Sequence, residues 1–368
     1  MENNSYFLDS SGQSCTMMLS FVPREAKIMK HLFKIQEKIV PELIEKAELR
    51  YTILRNIYYN QPIGRRNLAN NINESERQVR NELEFLRSRA WIEITRAGAS
   101  LTTIGESFLR ELDDYIKELK DIRSLEKRLK KFLGLEEIIV VPGNLGYESL
   151  KKEIGRFTAR FLKGIIKDGD TLAVTGGSTL AEVAEVMQQH DCCNGNLVVI
   201  PGRGGLGEDV EIQANTIAAK IAKKLGGKYQ LLHIPDNIKK ENIDYILNEP
   251  SIKQTMNYLE KANILLHGVG SARKMAERRK VSESKIKELI DKGAIGESFG
   301  YYFNRDGEIV HSTTSVGMNL EDLSDIDKVI AVAAGQQKAK AIIAAVSPKY
   351  QDILITDEEA AREILKFS

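Results

Sequence analysis

Short apolar runs alternate with stretches of helical periodicity beyond Leu135, and this alternation constrains the fold more than any other feature of the chain. Strands that alternate with helices pair in parallel, because each helical crossover returns the chain to the same edge of the sheet. We therefore predict a doubly wound, mostly parallel α/β domain over residues 135–368. Its strands are expected at 138–141, 171–175, 197–200, 229–234, 264–267, 329–333 and 353–355, with one further hairpin through the Asp306-Gly307 turn.

Glycine-rich motifs follow four of the predicted strands, at the carboxyl ends where ligands bind in such folds. In the first motif, two glycines allow a ligand to approach the backbone, and Ser178 and Thr179 can cap the following helix. Unpaired N–H groups at a helix start attract anions, so this motif predicts an anion-binding loop. The four motifs are Thr175-Gly-Gly-Ser-Thr179, Pro201-Gly-Arg-Gly-Gly-Leu-Gly207, His267-Gly-Val-Gly270 and Ala334-Gly-Gln-Gln-Lys338.

The second motif also matches the Gly-x-Gly-x-x-Gly fingerprint of dinucleotide-binding folds. That fingerprint requires an acidic residue about 20 positions further on to bind the ribose, whereas the nearest fit, Asp236, lies well beyond. Arg203 occupies a position where a pyrophosphate loop needs a small residue, although it suits a single terminal phosphate. His190-Asp-Cys-Cys193 lacks the spacing of a metal site. We therefore expect neither a cofactor nor a metal ion.

A winged helix-turn-helix DNA-binding domain is predicted over residues 28–103. Helical patterns at 51–59, 64–71 and 73–89 precede two short strand patterns around a glycine-bearing tip. From Arg50 to Arg96 the chain has nine arginines, no lysine and five acidic residues, an excess of +4 that suits phosphate and guanine contacts. A helical protein-interaction domain with a solvated arginine face is the alternative. The residues expected to contact DNA are Arg65, Arg66, Ser75, Arg77, Gln78, Arg80, Asn81 and Arg96.

Apolar residues recur at heptad-like spacing over residues 104–134, from Phe108 to Phe132. Helices with such a seam often pair with their twin, and winged helices commonly bind two half-sites as symmetric dimers. We expect a linker and dimerisation helix here, and hence a homo-oligomer that is a dimer or, on DNA, a tetramer. On pattern alone, a helix packed against its own domain is equally compatible.

Composition restricts the cellular compartment in which the protein is expected. Residues 1–27 are polar and without pattern, which indicates a loose N-terminal leader. The cysteines are Cys15, Cys192 and Cys193, an odd number with two adjacent, which favours a reducing compartment over a disulfide framework. No apolar stretch reaches the length of about 18 residues that would span a bilayer. We expect a cytoplasmic protein without a membrane partner.

Four motifs in the same order resemble those of the SorC family of sugar-binding transcriptional regulators, in particular its branch that controls central glycolytic genes. They are Thr-Gly-Gly-Ser-Thr-Leu-Ala-Glu-Val-Ala from Thr175, Pro-Gly-Arg-Gly-Gly-Leu-Gly-Glu from Pro201, His-Gly-Val-Gly from His267 with the following Arg-Arg pair, and Ala-Gly-Gln-Gln-Lys-Ala-Lys-Ala from Ala334. The similarity extends from about Ile28 to the C-terminus. It implies a repressor whose effector domain is similar to the sugar-phosphate isomerase and deaminase fold. It also implies that fructose 1,6-bisphosphate binds this domain and weakens operator binding.

The resemblance assigns roles in effector binding to residues of these motifs. The loop would hold one phosphate with the help of Arg203, whereas Lys338 and the adjacent arginines would hold the other. Gln213 and Glu297 would bind sugar hydroxyls. Ser178 stands where a second threonine is expected, and it keeps the hydroxyl. The full set is Gly176, Gly177, Ser178, Thr179, Leu180, Arg203, Gln213, Arg278, Arg279, Glu297 and Lys338.

Two other classes of function remain open on the sequence. A sugar-phosphate isomerase or deaminase with an accessory helical domain would need a general base near a substrate carbon. The candidate carboxylates form no paired constellation, so we expect no catalytic residue and no enzyme activity. A structural adaptor would lack salt-dependent DNA binding, whereas a repressor has operator DNA as its partner. The carboxylates considered are Asp168, Asp170, Glu208, Asp209 and Glu297.

Overall fold

A computed structural model describes residues 32, 35–36, 38–143, 147–189, 195–204, 209–234, 243–313, 316–347 and 349–368. The leader expected at residues 1–27 lies outside this described part. The chain divides into residues 1–47 and a compact unit of residues 48–368. In the first of these units, the described residues Leu32, Ile39 and Leu43 are exposed. None of the described helices is long and apolar enough to cross a membrane.

The predicted winged helix-turn-helix is present as three helices and a two-stranded wing, here called the winged domain. The Ser75 side chain accepts a hydrogen bond from Gln78 N at the start of the third helix, and Asn73 ends the second in the left-handed conformation. The first helix is longer than predicted because it begins at Pro41, and proline is tolerated in a first turn. The elements are α1 (Pro41–Asn60), α2 (Arg65–Ile72), α3 (Glu76–Ser88), β1 (Ile92–Ile94) and β2 (Ala99–Leu101).

The connecting segment consists of two helices, α4 (Thr103–Leu119) and α5 (Ile122–Leu133), so the prediction of one continuous helix is wrong. Asp121 lies between them with a φ of 56°, in the left-handed region that interrupts a helix. The side chains of Ile122 and Leu129 are fully buried in a core that also contains residues of the parallel sheet. Over α5, Ile122, Leu125 and Leu129 of the predicted dimer seam are therefore used within the chain, whereas Phe132 is exposed.

A seven-stranded parallel sheet follows, and every predicted parallel strand is present in it. The strands of the chain beyond the wing are β3 (Glu137–Val141), β4 (Thr171–Val174), β5 (Val198–Pro201), β6 (Lys228–Tyr229), β7 (Ile264–Gly268), β8 (Gly270–Ser271), β9 (Gly296–Ser298), β10 (Tyr301–Phe303), β11 (Ile309–Ser312), β12 (Lys328–Val332) and β13 (Ile353–Asp357). The sheet order is β3-β13-β12-β7-β4-β5-β6, so the chain adds β5 and β6 on one side of β4, and then β7, β12 and β13 on the other side, where β3 forms the edge. A topological switch point, where such folds bind ligands, lies between β4 and β7. Only β6 is clearly shorter than predicted.

Helices flank the parallel sheet, as the alternating pattern predicts. The helices beyond β3 are α6 (Tyr147–Ile165), α7 (Ser178–Val186), α8 (Ala214–Leu225), α9 (Ile243–Leu247), α10 (Pro250–Leu259), α11 (Ala272–Arg278), α12 (Glu283–Asp291), α13 (Ala339–Ala345) and α14 (Glu358–Ile364). Of these, α11 and α12 pack with the small antiparallel sheet and not with the parallel one. Successive residues of β4 serve two cores: Leu172 and Val174 belong to one with α6, α7 and α8, and Ala173 to another with α5, α13 and α14. The sheet therefore separates two apolar layers.

A second, antiparallel sheet has the order β11-β10-β9-β8. The predicted Asp-Gly hairpin is present between β10 and β11, where the Asn304 side chain accepts hydrogen bonds from Asp306 N and Glu308 N. The other strands of this sheet were not predicted, because runs of two or three residues carry no readable alternation. This sheet supplies one wall of the site described next.

Candidate functional site

A cavity of about 440 Å³ lies where β4 and β7 end, at the switch point of the parallel sheet. The loops after β4, β5, β7 and β12 contribute to its lining, and so do β9 and the residues that follow it. All eleven residues that the sequence analysis selected for effector binding line this cavity. The structure thus brings together motifs that are up to about 160 positions apart in the chain.

The loop after β4 exposes backbone rather than side-chain groups at the start of α7. Gly177 is the N-cap of α7 with a φ of 131°, and its N–H donates to the Ile212 carbonyl at 2.8 Å. A Cβ on Gly176 would lie only 2.9 Å from the same carbonyl oxygen, which explains the glycine there. The expectation that Ser178 caps the helix is wrong, because Ser178 is already its first residue. Within the described part of the chain no side chain caps α7, so its first N–H groups remain available to an anion.

Three cationic side chains from two motifs converge beside this loop; they are Lys274, Arg278 and Lys338, here called the cation cluster. Arg278 Nη2 donates to Ser178 Oγ at 3.4 Å, so Arg278 belongs with the loop and not at the opposite pole that the sequence analysis assigned to it. Burial, followed by the charge of Arg278, lowers the pKa of Lys338 to about 8. The charge of Asp357 opposes this shift, and Lys151 and Lys274 add to it. Like charges this close favour a bound anion.

Arg203 lies in the wall formed by the antiparallel sheet. Its side chain is 6% exposed, and Nη2 donates to the Thr313 carbonyl at 3.1 Å. The guanidinium lies over the Tyr301 ring, 5.7 Å from the centroid. These contacts hold the cation in one orientation while it still lines the cavity, which is the arrangement a phosphate ligand needs.

Arg279 and Glu297 form a buried ion pair in the same wall. Arg279 Nη2 donates to Glu297 Oε1 at 2.8 Å and Nη1 donates to the Tyr302 hydroxyl at 3.0 Å. Burial opposes the charge on Arg279, but Glu297 and Tyr302 outweigh it and raise its pKa above the ordinary value. Gly300 N also donates to Glu297 Oε1. The charge of Arg279, expected to serve a phosphate, is therefore already matched by Glu297.

His267 lies under the cavity and remains neutral. Its ring is fully buried, and burial lowers its pKa to about 4. Nδ1 is 2.9 Å from Ser298 Oγ, and the ring lies 4.8 Å from that of Phe299, which lines the cavity. His267 thus supports β9 and is not a charged ligand.

The residues predicted to contact DNA lie on the surface of the winged domain; all are exposed except Gln78, which is partly buried. Ser75 already serves as the N-cap of α3. The opposite side of α3 is held by Arg50, which donates to Glu82 at 2.8 Å and stacks over Phe85 at 3.5 Å. The exposed arginines of α3 therefore take no part in the contacts with Arg50 that hold this helix in place.

The predicted set leaves out four polar residues of the cavity lining, which are Thr175, Ser271, Lys274 and Gln337. Lys274 lies four residues before Arg278 on α11, and the i,i+4 spacing that places both on one face could have revealed it. Gln337 precedes Lys338 within a motif that was already selected. Both add polar groups to the cation cluster's side of the cavity.

Two protein families match successive parts of the chain. The family described as a sugar-binding domain matches residues 117–366, more than half of the chain. The family described as the CggR N-terminal DNA binding domain matches residues 47–116, which include most of the winged domain. The central glycolytic genes regulator of Priestia megaterium is 44% identical over 92% of this chain and 99% of its own length. The regulator of the same name from Bacillus subtilis is 41% identical over the same shares.

Solved structures agree with these matches. A SorC family transcriptional regulator from Enterococcus faecalis is 38% identical with a TM-score of 0.61, over 66% of this chain and 99% of that one. The full-length sorbitol operon regulator SorC from Klebsiella pneumoniae is 19% identical with a TM-score of 0.61, over 87% of this chain and 98% of that one, and shows the same fold. The chain therefore belongs to the SorC family of sugar-binding transcriptional regulators, with a DNA-binding domain ahead of its sugar-binding domain.

Proposed function

We propose that the protein is a cytoplasmic transcriptional repressor of glycolytic genes, and that fructose 1,6-bisphosphate binds its cavity and weakens its hold on operator DNA. The observation that carries this proposal is the cation cluster around Ser178, in which three positive side chains meet. Asp357 is the carboxylate that acts on Lys338, and both of its oxygens already accept hydrogen bonds, from Gly335 N and Ala360 N. The names of the relatives from Priestia megaterium and Bacillus subtilis support the choice of glycolytic genes.

A bisphosphate suits the distribution of charge in the cavity. Each phosphate carries about −1.5 to −2 at neutral pH, so one alone does not balance all the cations present. The cation cluster and the α7 N-terminus would hold one phosphate. Arg203, whose side chain is held in the opposite wall by Thr313 and Tyr301, would contribute to the other, and Gln213 would bind sugar hydroxyls between them. Arg203 and Lys338 thereby exchange the poles that the resemblance implies for them. Because Arg279 is paired with Glu297, its role would be to orient that carboxylate toward the sugar.

The cavity favours binding over catalysis. Among the described residues that line it, Glu297 is the one carboxylate, and its Oε1 already accepts hydrogen bonds from Arg279 and Gly300. A general base must be able to reach a proton of the substrate, and this carboxylate is held by its own neighbours. We therefore propose that the protein is not an enzyme, and that it binds its operator as a homo-oligomer over two half-sites.

Titration of the DNA-bound protein tests this function. The full-length protein is bound to labelled DNA from upstream of the glycolytic operon of its own genome, and fructose 1,6-bisphosphate, fructose 6-phosphate and glucose 6-phosphate are added separately. We expect the bisphosphate alone to lower DNA affinity, by about 5- to 150-fold, which is the range of typical allosteric couplings. Equal release by the monophosphates, or sugar-phosphate turnover in the same preparation, would contradict the proposal.

Replacing Arg80 by alanine is expected to weaken operator binding by about 5- to 150-fold, because a lost base contact costs about 1 to 3 kcal/mol. Arg80 is exposed in the first half of α3, the part of a recognition helix that faces base edges. Arg128→Ala, an exposed arginine on α5, is the matched control and should leave operator affinity unchanged. Anisotropy titrations at two salt concentrations measure both variants. Equal effects of the two would argue against α3 as the recognition helix.

Affinity for the sugar bisphosphate is expected to fall as the pH rises above 8. The pKa of Lys338 is about 8 in the empty cavity, and a bound phosphate raises it. Below pH 8 the ammonium group is already present, whereas above pH 8 binding must take up a proton. The affinity should therefore drop by up to about tenfold per pH unit until the pKa of the bound form is reached. Calorimetry from pH 7.5 to 9.5 measures this slope, and Lys338→Arg, which stays protonated, should remove it.

A further inference from the structure

A buried network of charged side chains joins the winged domain to the sugar-binding domain. Arg55 of α1 donates through Nε to Glu153 Oε2 of α6 at 2.8 Å, and Arg156 donates through Nη1 to Glu153 Oε1 at 3.0 Å. The exposed fraction is 8% for Arg55, 2% for Glu153 and 8% for Arg156. Arg156 Nη2 also donates to Asn60 Oδ1 at 2.7 Å, so α1 is bound to α6 at two points one turn apart.

Such a network fixes the relative orientation of α1 and α6 more than it adds to the stability of their contact. Apolar residues of similar volume often stabilise a buried interface as well as an ion pair does, because two charges must first lose their hydration. A charge network is satisfied in few arrangements, since a shift of α1 along α6 would take both Arg55 and Asn60 away from their partners on α6. The contact between α1 and α6 is therefore suited to hold the winged domain in a single orientation.

The helix α6 also forms part of the support of the sugar-phosphate cavity. At Gly155 it lies directly on α7, where a Cβ would come within 3.2 Å of the Glu182 backbone. The N-terminal residue of α7 is Ser178, which lines the cavity. The charge of Lys151, on the same helix, acts on Lys338 and lowers its pKa. One rigid helix thus bears on the cavity and, through Glu153, on the winged domain.

A second contact connects the two domains at the same place. Lys120, between α4 and α5, lies 3.3 Å from Glu358 and 3.2 Å from Glu48 of α1. Glu358 Oε2 accepts from Gly143 N, and the Pro142 carbonyl accepts from Arg55 Nη1 at 3.2 Å. The two contacts therefore meet at the short segment that follows β3. On the cavity side, Asp357, the neighbour of Glu358, accepts from Gly335 N at 2.6 Å at the start of the loop that carries Lys338.

We propose that the Arg55–Glu153–Arg156 network is the lock through which the sugar-phosphate site controls DNA binding, with α6 as the moving part. This rests on the function proposed above. With the cavity empty, the lock fixes the winged domain in the orientation that binds the operator. A bound phosphate attracts Lys151 together with the cation cluster, which draws α6 toward the cavity and strains the contact of Glu153 with Arg55. The winged domain is then no longer held, and operator affinity falls.

This lock predicts opposite changes in the two affinities of the protein. A substitution that breaks the network no longer holds the winged domain in the orientation that binds DNA. It also removes the contacts that a bound sugar phosphate would otherwise have to break. Coupling between two ligands is reciprocal. Glu153→Gln and Arg55→Lys should therefore weaken operator binding without sugar by about 5-fold or more, and strengthen sugar binding without DNA by a similar factor. The further loss of operator affinity on adding sugar should shrink accordingly.

The test uses the full-length protein with operator anisotropy and calorimetry of fructose 1,6-bisphosphate. Arg55→Lys keeps the positive charge and loses only one of the two bonds that Arg55 makes to Glu153 Oε2. It is the milder variant, and it tests the proposal if Glu153→Gln does not fold. Lys220→Gln, which breaks an exposed ion pair with Glu211, is the matched control and should change neither affinity.

The outcomes separate the two proposals. If wild-type operator binding does not respond to the sugar bisphosphate, the proposed function fails. If the wild type responds but Arg55→Lys keeps the same ratio of operator affinities with and without sugar, the lock is wrong and the function stands. A loss of both affinities together would assign the network a merely structural role and would also overturn the lock. Weaker operator binding with tighter sugar binding supports it.

Discussion

Replacing Glu297 by leucine is expected to lower the free energy of unfolding by about 3 to 5 kcal/mol, because it leaves a buried cation without its partner. The carboxylate is 3% exposed, and its Oε1 accepts from both Arg279 and Gly300. Without the carboxylate, the Arg279 guanidinium still donates to the Tyr302 hydroxyl, but this neutral group does not balance its charge. Urea unfolding of the variant and the wild type measures the difference.

A double variant separates charge from packing at this site. In Arg279→Met with Glu297→Leu no charge is left buried, and stability should return to within about 1 kcal/mol of the wild type. Glu288→Gln, which removes an exposed partner of Lys285 and Lys292, serves as the control and should leave the free energy of unfolding nearly unchanged. If the double variant is no more stable than Glu297→Leu, the loss comes from packing and not from the unpaired cation.

Removing two members of the cation cluster is expected to abolish high-affinity binding of the sugar bisphosphate. Charge-assisted hydrogen bonds contribute about 1.5 to 3 kcal/mol each, so Arg278→Gln with Lys338→Gln should lower the affinity by at least about 100-fold. The substitutions also relieve repulsion between like charges, so the empty protein should become no less stable. Calorimetry and thermal unfolding of the same preparations measure both effects.

The control for this variant is Lys340→Gln, an exposed lysine two residues beyond Lys338. Lys340→Gln removes one positive charge, as each of the two substitutions in the variant does, but Lys340 lies outside the cavity lining. It should bind the bisphosphate as the wild type does. A similar loss of affinity in Lys340→Gln would mean that the overall charge of this surface, and not the cation cluster, attracts the ligand.

Local sequence patterns were sufficient to predict the architecture where apolar residues repeat over four or more positions. The parallel strands and the three helices of the winged domain were found in this way. The break between α4 and α5 was missed because Lys120 and Asp121 are neither proline nor glycine, and the heptad-like spacing continues across them. Strands β8 and β9 were missed because they are two or three residues long.

The lining of the cavity was predictable, but the pairing of its residues was not. Motifs at strand ends identify which residues meet, since a parallel sheet brings those ends to one edge. Which cation pairs with which acceptor depends on side chains from distant elements. Arg278 and Arg279 are neighbours in sequence, yet one contacts Ser178 and the other Glu297. Their position at the end of α11 turns them to different sides, which neither residue type nor spacing reveals.

The crowding of positive charge around Lys338 links the lifetime of the protein to its ligand. Four cations that repel each other make the empty chain the less stable form, and any anion that fills the cavity stabilises it by mass action. The unfolded fraction, which proteases remove, is larger when the cavity is empty. The cellular amount of the regulator, and not only its affinity for DNA, would thus depend on the concentration of the anion. Pulse-chase half-lives in cells with high and low sugar-phosphate levels would reveal this second, slower response.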